Sequence, residues 1–438
     1  MAKRKNSRTA RNFAGPAALW LGTIMKLVIL SLLLAAVTRI HAESLTLHAG
    51  GHDRSGCVVT FQAPAAWWGK TLTLQELGMP VQVDEAGRGT FVLQNALPKG
   101  KELVCTIASA LPAFAAGGVE TQANEKVLTL VAKPYAGAAE RTALPVFTYQ
   151  MLPGPVPAGT AEGFAHGAHL HPVFSPSGRL LTGNHPSDHP HQRGIWFAWT
   201  HTEFAGGAPD FWNMGKDKTG KLTGEVRFDK LLKSWSGPVH GGFVSTHKWL
   251  DHTSGVEKDM LNETWEVTVT HTAGLKDGSG TPLPPLFLMD LVSTQTCAGA
   301  EPVKLPKYHY GGLGVRGNAL WDPVEKVAML TSNGDDRKTG DATKAKWVWL
   351  GGEVDGQMTG ITVLMHPDNF RFPQPLRLNP KNPQICVAPS ADGDWSIEPG
   401  QPYVSRYRLV FSDGKPEAQE MERRWTDYAE PPQVTITP

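Results

Sequence analysis

The sequence is poor in several features that would assign it to a familiar class of protein. Only four of its 438 residues are cysteine, and charged residues make up 19% of the chain, with a formal net charge of +1. The thiols form no Cys-x-x-Cys pair, which argues against a zinc site built from thiolates. The balanced charge gives no electrostatic reason to expect nucleic acid as a partner.

Motifs of common enzyme classes are also missing. The chain contains no Gly-x-Ser-x-Gly elbow, no P-loop and no His-Glu-x-x-His pair. The Gly-rich segment 310–316 is not a dinucleotide fingerprint, because its glycines have the wrong spacing and no βαβ pattern surrounds it. The sequence therefore indicates no organic cofactor, and a bound metal stays an open alternative.

The N-terminal segment predicts export. Residues 1–42 contain seven basic and no acidic side chains, around an 11-residue apolar stretch from Leu27 to Val37. A basic flank, a short apolar stretch and a small residue at the end are typical of a secretory signal, here cleaved after Ala42. Met25 opens a more conventional signal and is the alternative start. The stretch is short for a membrane span, and a single-helix anchor is the other interpretation.

Without this segment, the mature chain has 35 basic and 41 acidic residues, and no later stretch approaches the ~18 apolar residues of a spanning helix. We therefore expect an exported protein, periplasmic or extracellular, with no membrane span in the mature chain. In an oxidising compartment the four cysteines allow three disulfide pairings. Cys57 with Cys105 and Cys297 with Cys386 would each stay within one predicted domain.

Glycine and proline are abundant, with 46 and 34 residues, which favours short strands and turns over long helices. We predict an all-β protein in which a small Ig-like β-sandwich, 43–138, precedes a large antiparallel β-sandwich, 143–438, of the supersandwich type. The Ala- and Gly-rich segment from Tyr135 to Thr142 is the predicted linker. The predicted strands include 57–61, 71–74, 89–93, 102–106, 264–270 and 402–411. The segments 346–350 and 360–365 are predicted to form a hairpin across Gly351-Gly352, and a helix is predicted after Pro416.

Histidine is unevenly distributed, with seven of the sixteen between residues 166 and 201. They are His166, His169, His171, His185, His189, His191 and His201. Because alternate residues of an extended chain face the same way, His169 with His171 and His189 with His191 would each present two imidazoles. Such pairs could bind a transition metal, or one His could act as a general base oriented by Asp188. The alternative is a set of structural histidines under the rim of a sheet.

Other polar groups follow the histidines. Arg193 offers a planar fork for oxygen ligands, and nearby tryptophans could stack on sugar rings or fill the core. Trp212 and Asn213 lie in a Gly- and Pro-rich loop, where we expect them to be exposed. Asp290 interrupts an apolar strand and would need a cationic partner.

These motifs, taken together, resemble the bacterial PmoA family, also described as methane oxygenase PmoA-like and of unknown function. The resemblance covers about 145–415 and rests on His171-Pro172, Pro176-Ser177-Gly178, Asp188-His189-Pro190-His191-Gln192-Arg193-Gly194, Asp210-Phe211-Trp212-Asn213, Tyr310-Gly311-Gly312-Leu313-Gly314 with Arg316, and His366-Pro367 with Asn369. It implies an exported protein of glycan-degrading bacteria. A true membrane methane monooxygenase subunit would need several bilayer spans, and the mature chain has none.

The leading hypothesis is a carbohydrate-active enzyme, a hydrolase, lyase or epimerase that uses His/Asp/Arg acid–base chemistry. The predicted catalytic residues are His171, Asp188, His189, His191, Arg193, Tyr310, Arg316 and His366. The predicted substrate-binding residues are Trp212, Asn213, His309 and Asn369. Two alternatives are a non-catalytic glycan-binding protein and a metal-dependent enzyme with ligands from His169, His171, His189 and His191. All three require these side chains to meet in one hollow of the large sandwich.

Overall fold

Strands dominate the structure, a computed structural model that describes residues 43–109, 117–135, 142–214 and 222–437. Those residues form 26 strands and a single α-helix, which confirms the predicted all-β class. The predicted signal segment and most of the predicted linker lie outside the described residues. Within the described ranges, no helix is long and apolar enough to cross a bilayer.

The strands are numbered along the chain. The first eight are β1 (Ser44–His48), β2 (Cys57–Gln62), β3 (Thr71–Leu74), β4 (Met79–Val83), β5 (Arg88–Leu93), β6 (Glu102–Ala108), β7 (Gly118–Ala123) and β8 (Val127–Lys133). The next nine are β9 (Leu144–Gln150), β10 (His169–Val173), β11 (Ile195–Ala198), β12 (Gly224–Trp235), β13 (His240–Asp251), β14 (Lys258–His271), β15 (Leu286–Cys297), β16 (Val303–Leu305) and β17 (Gly312–Arg316). The last nine are β18 (Val327–Thr331), β19 (Lys344–Ala345), β20 (Trp347–Val354), β21 (Gln357–Met365), β22 (Gln374–Leu378), β23 (Gln384–Val387), β24 (Trp395–Ile397), β25 (Tyr403–Asp413) and β26 (Gln433–Thr437), and the helix α1 (Ala418–Ala429) precedes β26.

Two large antiparallel sheets form the predicted sandwich. One has nine strands in the order β19-β22-β23-β17-β11-β10-β9-β8-β7, and the other has eight in the order β12-β13-β14-β15-β25-β21-β20-β18. Their facing sides share the largest hydrophobic core, to which β14 contributes Trp265 and Val267. Apolar and polar residues alternate along β14, so Glu266 between these two faces the other side. We call the sides turned away from this core the outer faces.

A third sheet has seven strands in the order β2-β5-β4-β3-β6-β1-β26 and a hydrophobic core of its own. Its last strand comes from the C-terminal end of the chain. Conversely, β7 and β8, which lie within the predicted small domain, join the nine-stranded sheet. Sheet membership therefore does not follow the boundaries 43–138 and 143–438, and the division into domains stays a prediction.

The β20–β21 hairpin turns later than predicted. Its turn residues are Asp355 and Gly356, with positive φ values of 50° and 73°, as a tight two-residue hairpin requires. Gly351-Gly352 instead lies within the ladder. A Cβ at these positions would collide with the indole rings of Trp349 and Trp321. The two glycines are therefore explained by ring packing and not by a turn.

Helix α1 begins two residues after Pro416, close to the predicted position. Met421 is buried, and Trp425 and Tyr428 pack beside it against Leu364 and Val410 of the eight-stranded sheet. The helix therefore covers part of the outer face of that sheet.

The predicted disulfides are wrong, because all four cysteines are free thiols. Cys57 and Cys105 lie on β2 and β6, which are separated by three strands in the sheet, whereas Cys297 and Cys386 belong to different sheets. Burial raises the pKa of the Cys57, Cys105 and Cys386 thiols to about 12. Low exposure and a high pKa make these thiols unreactive.

A carboxylate lies inside the sandwich core. Glu263 on β14 has a side-chain exposure of 0%. It accepts hydrogen bonds from five donors, which are His247, Trp249, Trp265, Ser293 and Gln295. Burial favours the protonated acid, but these donors outweigh it and hold the pKa of Glu263 below its usual value. Its bonding capacity is used by the protein itself, which indicates a structural role.

Candidate active site

Most of the predicted histidines lie with two arginines on the outer face of the nine-stranded sheet. We call this group the histidine site; it comprises His169, His171, His185, Asp188, His189, His191, Arg193 and Arg316. Leu313 and Val315 of β17 point into the core, so Gly314 and Arg316 face the opposite side. The ring of Trp212 lies against this face, because a Cβ added at Gly314 would be 2.8 Å from it.

The loop between β10 and β11 carries an Asp–His pair. A backbone hydrogen bond of 3.0 Å from the His185 N–H to the Gln192 carbonyl closes this loop. At its tip, Asp188 Oδ2 lies 2.8 Å from His189 Nδ1, and the side chains are 57% and 38% exposed. The rings of His189 and His191 meet edge to face, with centroids 5.6 Å apart. A ligand can therefore reach this pair from solvent.

The neighbouring imidazoles are uncharged at neutral pH. Burial lowers the pKa of His191 to about 3 and the pKa of His171 to about 4. The Nδ1 atom of His171 lies 2.9 Å from the Thr182 hydroxyl. At Asp188, burial is outweighed by the hydrogen bond from His189, so the pKa of this carboxyl is below its usual value. The site thus combines neutral imidazoles with an ionised carboxylate.

The other two histidines of the site are held by backbone carbonyls. His169 Nδ1 lies 3.2 Å from the Gly167 carbonyl oxygen, and His185 Nε2 lies 2.9 Å from that of Phe164. Burial holds the pKa of His169 well below its usual value. These contacts are those expected of histidines that shape the site.

Two buried guanidinium groups complete the histidine site, and each is 1% exposed. Arg316 donates to Gln192 Oε1 at 2.7 Å and forms an ion pair with Asp322. Arg193 has only the sulfur of Met214, 3.7 Å from Nη1, as an acceptor among the described residues. Burial lowers the pKa of Arg193 to about 10. Among the described residues, a carboxylate therefore pairs directly with Arg316, whereas none pairs directly with Arg193.

The backbone around the site is strained. Of the seven non-glycine residues with positive φ in the described chain, three lie here: Ala168 (54°), His185 (50°) and Met214 (63°). Gly194 has φ +38°, and a Cβ there would be 2.9 Å from His171 Cβ and well inside 3.0 Å of the Leu170 carbonyl oxygen. Such strain costs about 1–3 kcal/mol per residue and clusters at functional sites.

Several buried polar atoms without a hydrogen-bond partner lie in or beside the site. Among the described residues they include His169 Nε2, Asn184 Oδ1, Arg193 Nε, Arg316 Nε and Asn382 Oδ1. Each such atom costs about 1–3 kcal/mol when it is left unpaired, so proteins keep few of them. A polar ligand that bonds to these atoms would remove that cost.

Asn213, His309 and Tyr310 lie at the other end of the β11–β17 pair. Asn213 Nδ2 donates to the Tyr310 hydroxyl at 3.0 Å, and the rings of His309 and Tyr310 are 4.7 Å apart. Trp212 is only 2% exposed, so its predicted exposure is wrong; its ring packs against the sheet. The loop then reaches the histidine site, where Met214 contacts Arg193.

His366 and Asn369 do not belong to this site, because they follow β21 in the eight-stranded sheet. Asn369 is buried and exchanges two hydrogen bonds of 2.8 Å with the backbone of Arg406, which is a structural role. His366 lines a separate cleft of about 800 Å³, where Asp290 has the cationic partner it was predicted to need, Arg408 at 2.6 Å. Of the predicted site residues, His366 and Asn369 therefore lie apart from the histidine site.

The histidine pairs do not assemble a metal site. The predicted ligands were His169, His171, His189 and His191. Within the described ranges, the one group of three donor residues whose ligand atoms lie within 4.8 Å of one another is Glu225, His252 and Glu257. Arg227 already bridges both of those carboxylates, at 2.7 and 3.0 Å, so their charge is balanced by the protein.

Sequence reasoning missed three residues that support the site. Gln192 and Asp322 hold Arg316, and Asn382 Nδ2 lies 3.4 Å from His189 Nδ1. Gln192 stands between two predicted site residues, which is a usable local signal. Asn382 is 193 positions away from His189 along the chain, and nothing in its surroundings marks it.

Solved structures show only distant similarity, and no curated protein matches the chain. The heparan sulfate lyase HepC from Pedobacter heparinus aligns at 10% identity and a TM-score of 0.32, over 71% of this chain and 38% of the lyase. The chain thus spans well under two thirds of that enzyme. A TPR-domain containing protein from Parabacteroides distasonis aligns at 10% identity and a TM-score of 0.17, over 86% of this chain and 56% of that protein.

The predicted resemblance to the PmoA family is wrong, because the family model that matches is a different one. One of the motifs that suggested it has a structural role. Ser177 of the Pro-Ser-Gly turn hydrogen-bonds through its hydroxyl and backbone to Asp413 at the end of β25. The matching model covers residues 141–426, and the chain belongs to that family, described as a family of unknown function (DUF6807).

Proposed function

We propose that this protein is a carbohydrate-active enzyme, a hydrolase, lyase or epimerase, whose acid–base chemistry takes place at the histidine site. The observation that carries the proposal is a solvent-accessible Asp–His pair with buried polar atoms beside it that have no hydrogen-bond partner among the described residues. A sugar offers hydroxyls that both donate and accept, so it can bond to imidazole, amide and guanidinium groups together. Export, predicted from residues 1–42, would bring the enzyme to extracellular glycans.

His189 is the proposed general base. Its Nδ1 faces the Asp188 carboxylate, so the neutral ring carries its proton on Nδ1 and leaves Nε2 free to accept one. Asp188 would orient the ring and stabilise the imidazolium that forms. Arg316, buried and close enough to lower the pKa of Asp188, would stabilise negative charge that develops on the substrate. His191 and His171, both neutral, would bond to hydroxyls.

The test is turnover of glycans by variants of this pair. The mature protein is incubated with a panel of oligosaccharides, with and without chelator, and new products are detected by NMR. On a responsive glycan, His189→Ala should lower the rate by about 10²–10⁴-fold. Asp188→Asn should cause a smaller loss, because the base remains but its orientation and charge partner are lost.

The matched control is His52→Gln, since His52 is 44% exposed and pairs with Glu430 on a distant surface. It should leave the rate unchanged. Full activity of both His189→Ala and Asp188→Asn would refute the assigned roles.

A non-catalytic glycan-binding protein is the second candidate. It is favoured by the ring cluster of His201, Tyr308 and His309, with centroid distances of 5.6 and 4.7 Å and two exposed histidines. Aromatic faces of this kind stack on the C–H faces of sugars. Binding in the same glycan panel without any product, even on long incubation, would support this candidate over the enzyme.

A further inference from the structure

No carboxylate among the described residues forms an ion pair or a hydrogen bond with Arg193. Its side chain is 1% exposed, its Nε atom has no hydrogen-bond partner among the described residues, and its sole acceptor there is a thioether. Buried arginines are rarely left in this state, because an uncompensated buried charge costs several kcal/mol. A thioether sulfur is a weak acceptor and does not offset that cost.

The described carboxylates near Arg193 are each paired with another group. Asp188 is engaged by His189, and Asp322 is engaged by Arg316. The carboxylate that acts on Arg193 at longer range is Glu225, which already pairs with Arg227 and His252. The imidazoles nearby are neutral and carry no negative charge. Among the described residues, Arg193 is therefore the one cation of the histidine site without a carboxylate in direct contact.

We propose that Arg193 binds an anionic substituent of the sugar, a carboxylate or a sulfate ester, so that the ligand of the histidine site is an acidic glycan. This inference rests on the proposed function, which it narrows to one class of substrate. A guanidinium presents two parallel N–H groups that match the two oxygens of a carboxylate or sulfate. Its burial strengthens the interaction, because the local dielectric is low. Arg316, whose Nε is also unpartnered, lies on the same side.

The experiment compares charged sugars with their neutral counterparts by isothermal titration calorimetry on the mature chain at low ionic strength. The probes are D-glucuronate and D-galacturonate against their amides, and glucose 6-sulfate against glucose. We expect at least one anionic probe to bind about tenfold or more tightly than its neutral counterpart, since a hydrogen bond to a charged group is worth roughly that factor. The uronate and sulfate arms distinguish the two sources of charge.

Arg193→Met should abolish this preference and should not lower the temperature of unfolding, because it replaces an unpaired buried charge with an apolar chain beside Met214. Arg193→Lys keeps the charge without the planar fork and should keep part of the preference. This second variant provides a test even if Arg193→Met does not fold. Arg88→Met, which removes a 58% exposed side chain paired with Glu266, is the control and should retain the full preference.

Equal binding of charged and neutral probes, no binding by any charged probe, or a preference that survives in Arg193→Met would each overturn the inference. Its failure is distinguishable from failure of the proposed function. If the protein turns over neutral glycans and His189→Ala does not, the enzyme proposal stands and the acidic substrate is refuted. A charge preference without product from any glycan would leave the binding inference standing without the enzyme.

Discussion

Replacing Gly194 with alanine tests whether the close approach of two chain segments builds the histidine site. Gly194 stands directly after Arg193, and its φ of +38° is unfavourable for other residues. A Cβ there would also collide with the Leu170 carbonyl oxygen and lie 2.9 Å from His171 Cβ. The atom in the way belongs to the backbone of β10, so no side-chain rotation can relieve the collision. The segments must separate, and Arg193 and His171 must move with them.

The matched control is Gly178→Ala. Gly178 has φ +81°, but nothing lies within 4 Å of the position that a Cβ would take. Both variants therefore share the conformational cost of about 1–2 kcal/mol for a left-handed alanine, and only Gly194→Ala adds overpacking, about 1–3 kcal/mol. We expect the free energy of unfolding to fall by about 2–5 kcal/mol for Gly194→Ala and by no more than about 2 kcal/mol for Gly178→Ala.

Urea unfolding followed by tryptophan fluorescence measures both changes, and glycan binding by the folded variants measures the effect on the site. Gly194→Ala should weaken binding even under conditions where it is fully folded. If it is as stable as Gly178→Ala and binds normally, the contact between β10 and Gly194 is not what positions Arg193 and His171.

Three further predictions concern stability. Glu263→Gln should lower the free energy of unfolding by about 3–5 kcal/mol, because it turns a buried acceptor of five hydrogen bonds into a partial donor. The control is Glu266→Gln on the same strand, whose carboxylate is 39% exposed and which should lower it by under about 1 kcal/mol. Equal losses in urea unfolding would contradict the structural role of Glu263. Burial lowers the pKa of His271 to about 4, so the unfolded state takes up a proton at this residue first as pH falls. His271 alone should then lower the free energy of unfolding by up to about 1.4 kcal/mol per pH unit below 6.5, in addition to the contributions of the other buried histidines. His271→Gln should flatten this slope between pH 7 and 5, and an unchanged slope would argue against it. Trp212→Ala should lower the free energy of unfolding by about 3–5 kcal/mol, because it leaves a cavity where the ring was packed. Trp68→Ala removes a side chain that is 43% exposed and should lower it much less. Similar shifts in the unfolding temperature for both variants would contradict the buried position of Trp212.

The strands were predictable because their signal is local. Alternation along β14 and the short β-prone runs of β2, β3, β5 and β6 fix which side chains face a core without reference to the rest of the chain. The β20–β21 turn was misplaced because the function of Gly351-Gly352 depends on a ring, that of Trp321, from another part of the chain. Glycine in a strand and glycine in a turn look alike in sequence, and only the tertiary contact separates them.

The same difference between local and long-range signals explains which predicted site residues lie together in the structure. Residues 166–193 are close in sequence, and the closed loop between β10 and β11 keeps their histidines together. His366 resembles them in type but follows a strand of the other sheet, and sheet membership is not a local property. Trp212 looked exposed in its loop because the glycine it covers, Gly314, lies far along the chain. Pairings of this range cannot be derived from one sequence by spacing.

Two polar groups buried in this protein differ in a way that bears on function. Glu263 is fully engaged, so it has no bonding capacity left for a ligand, and its removal can only destabilise the fold. Arg193 is buried as deeply, but it has no strong acceptor among the described residues. A protein that retains such a group gives up stability for it, as binding and catalytic sites do. We therefore expect Glu263→Gln to lose stability and Arg193→Met to lose none. This difference would distinguish a residue that holds the fold from one that serves the site.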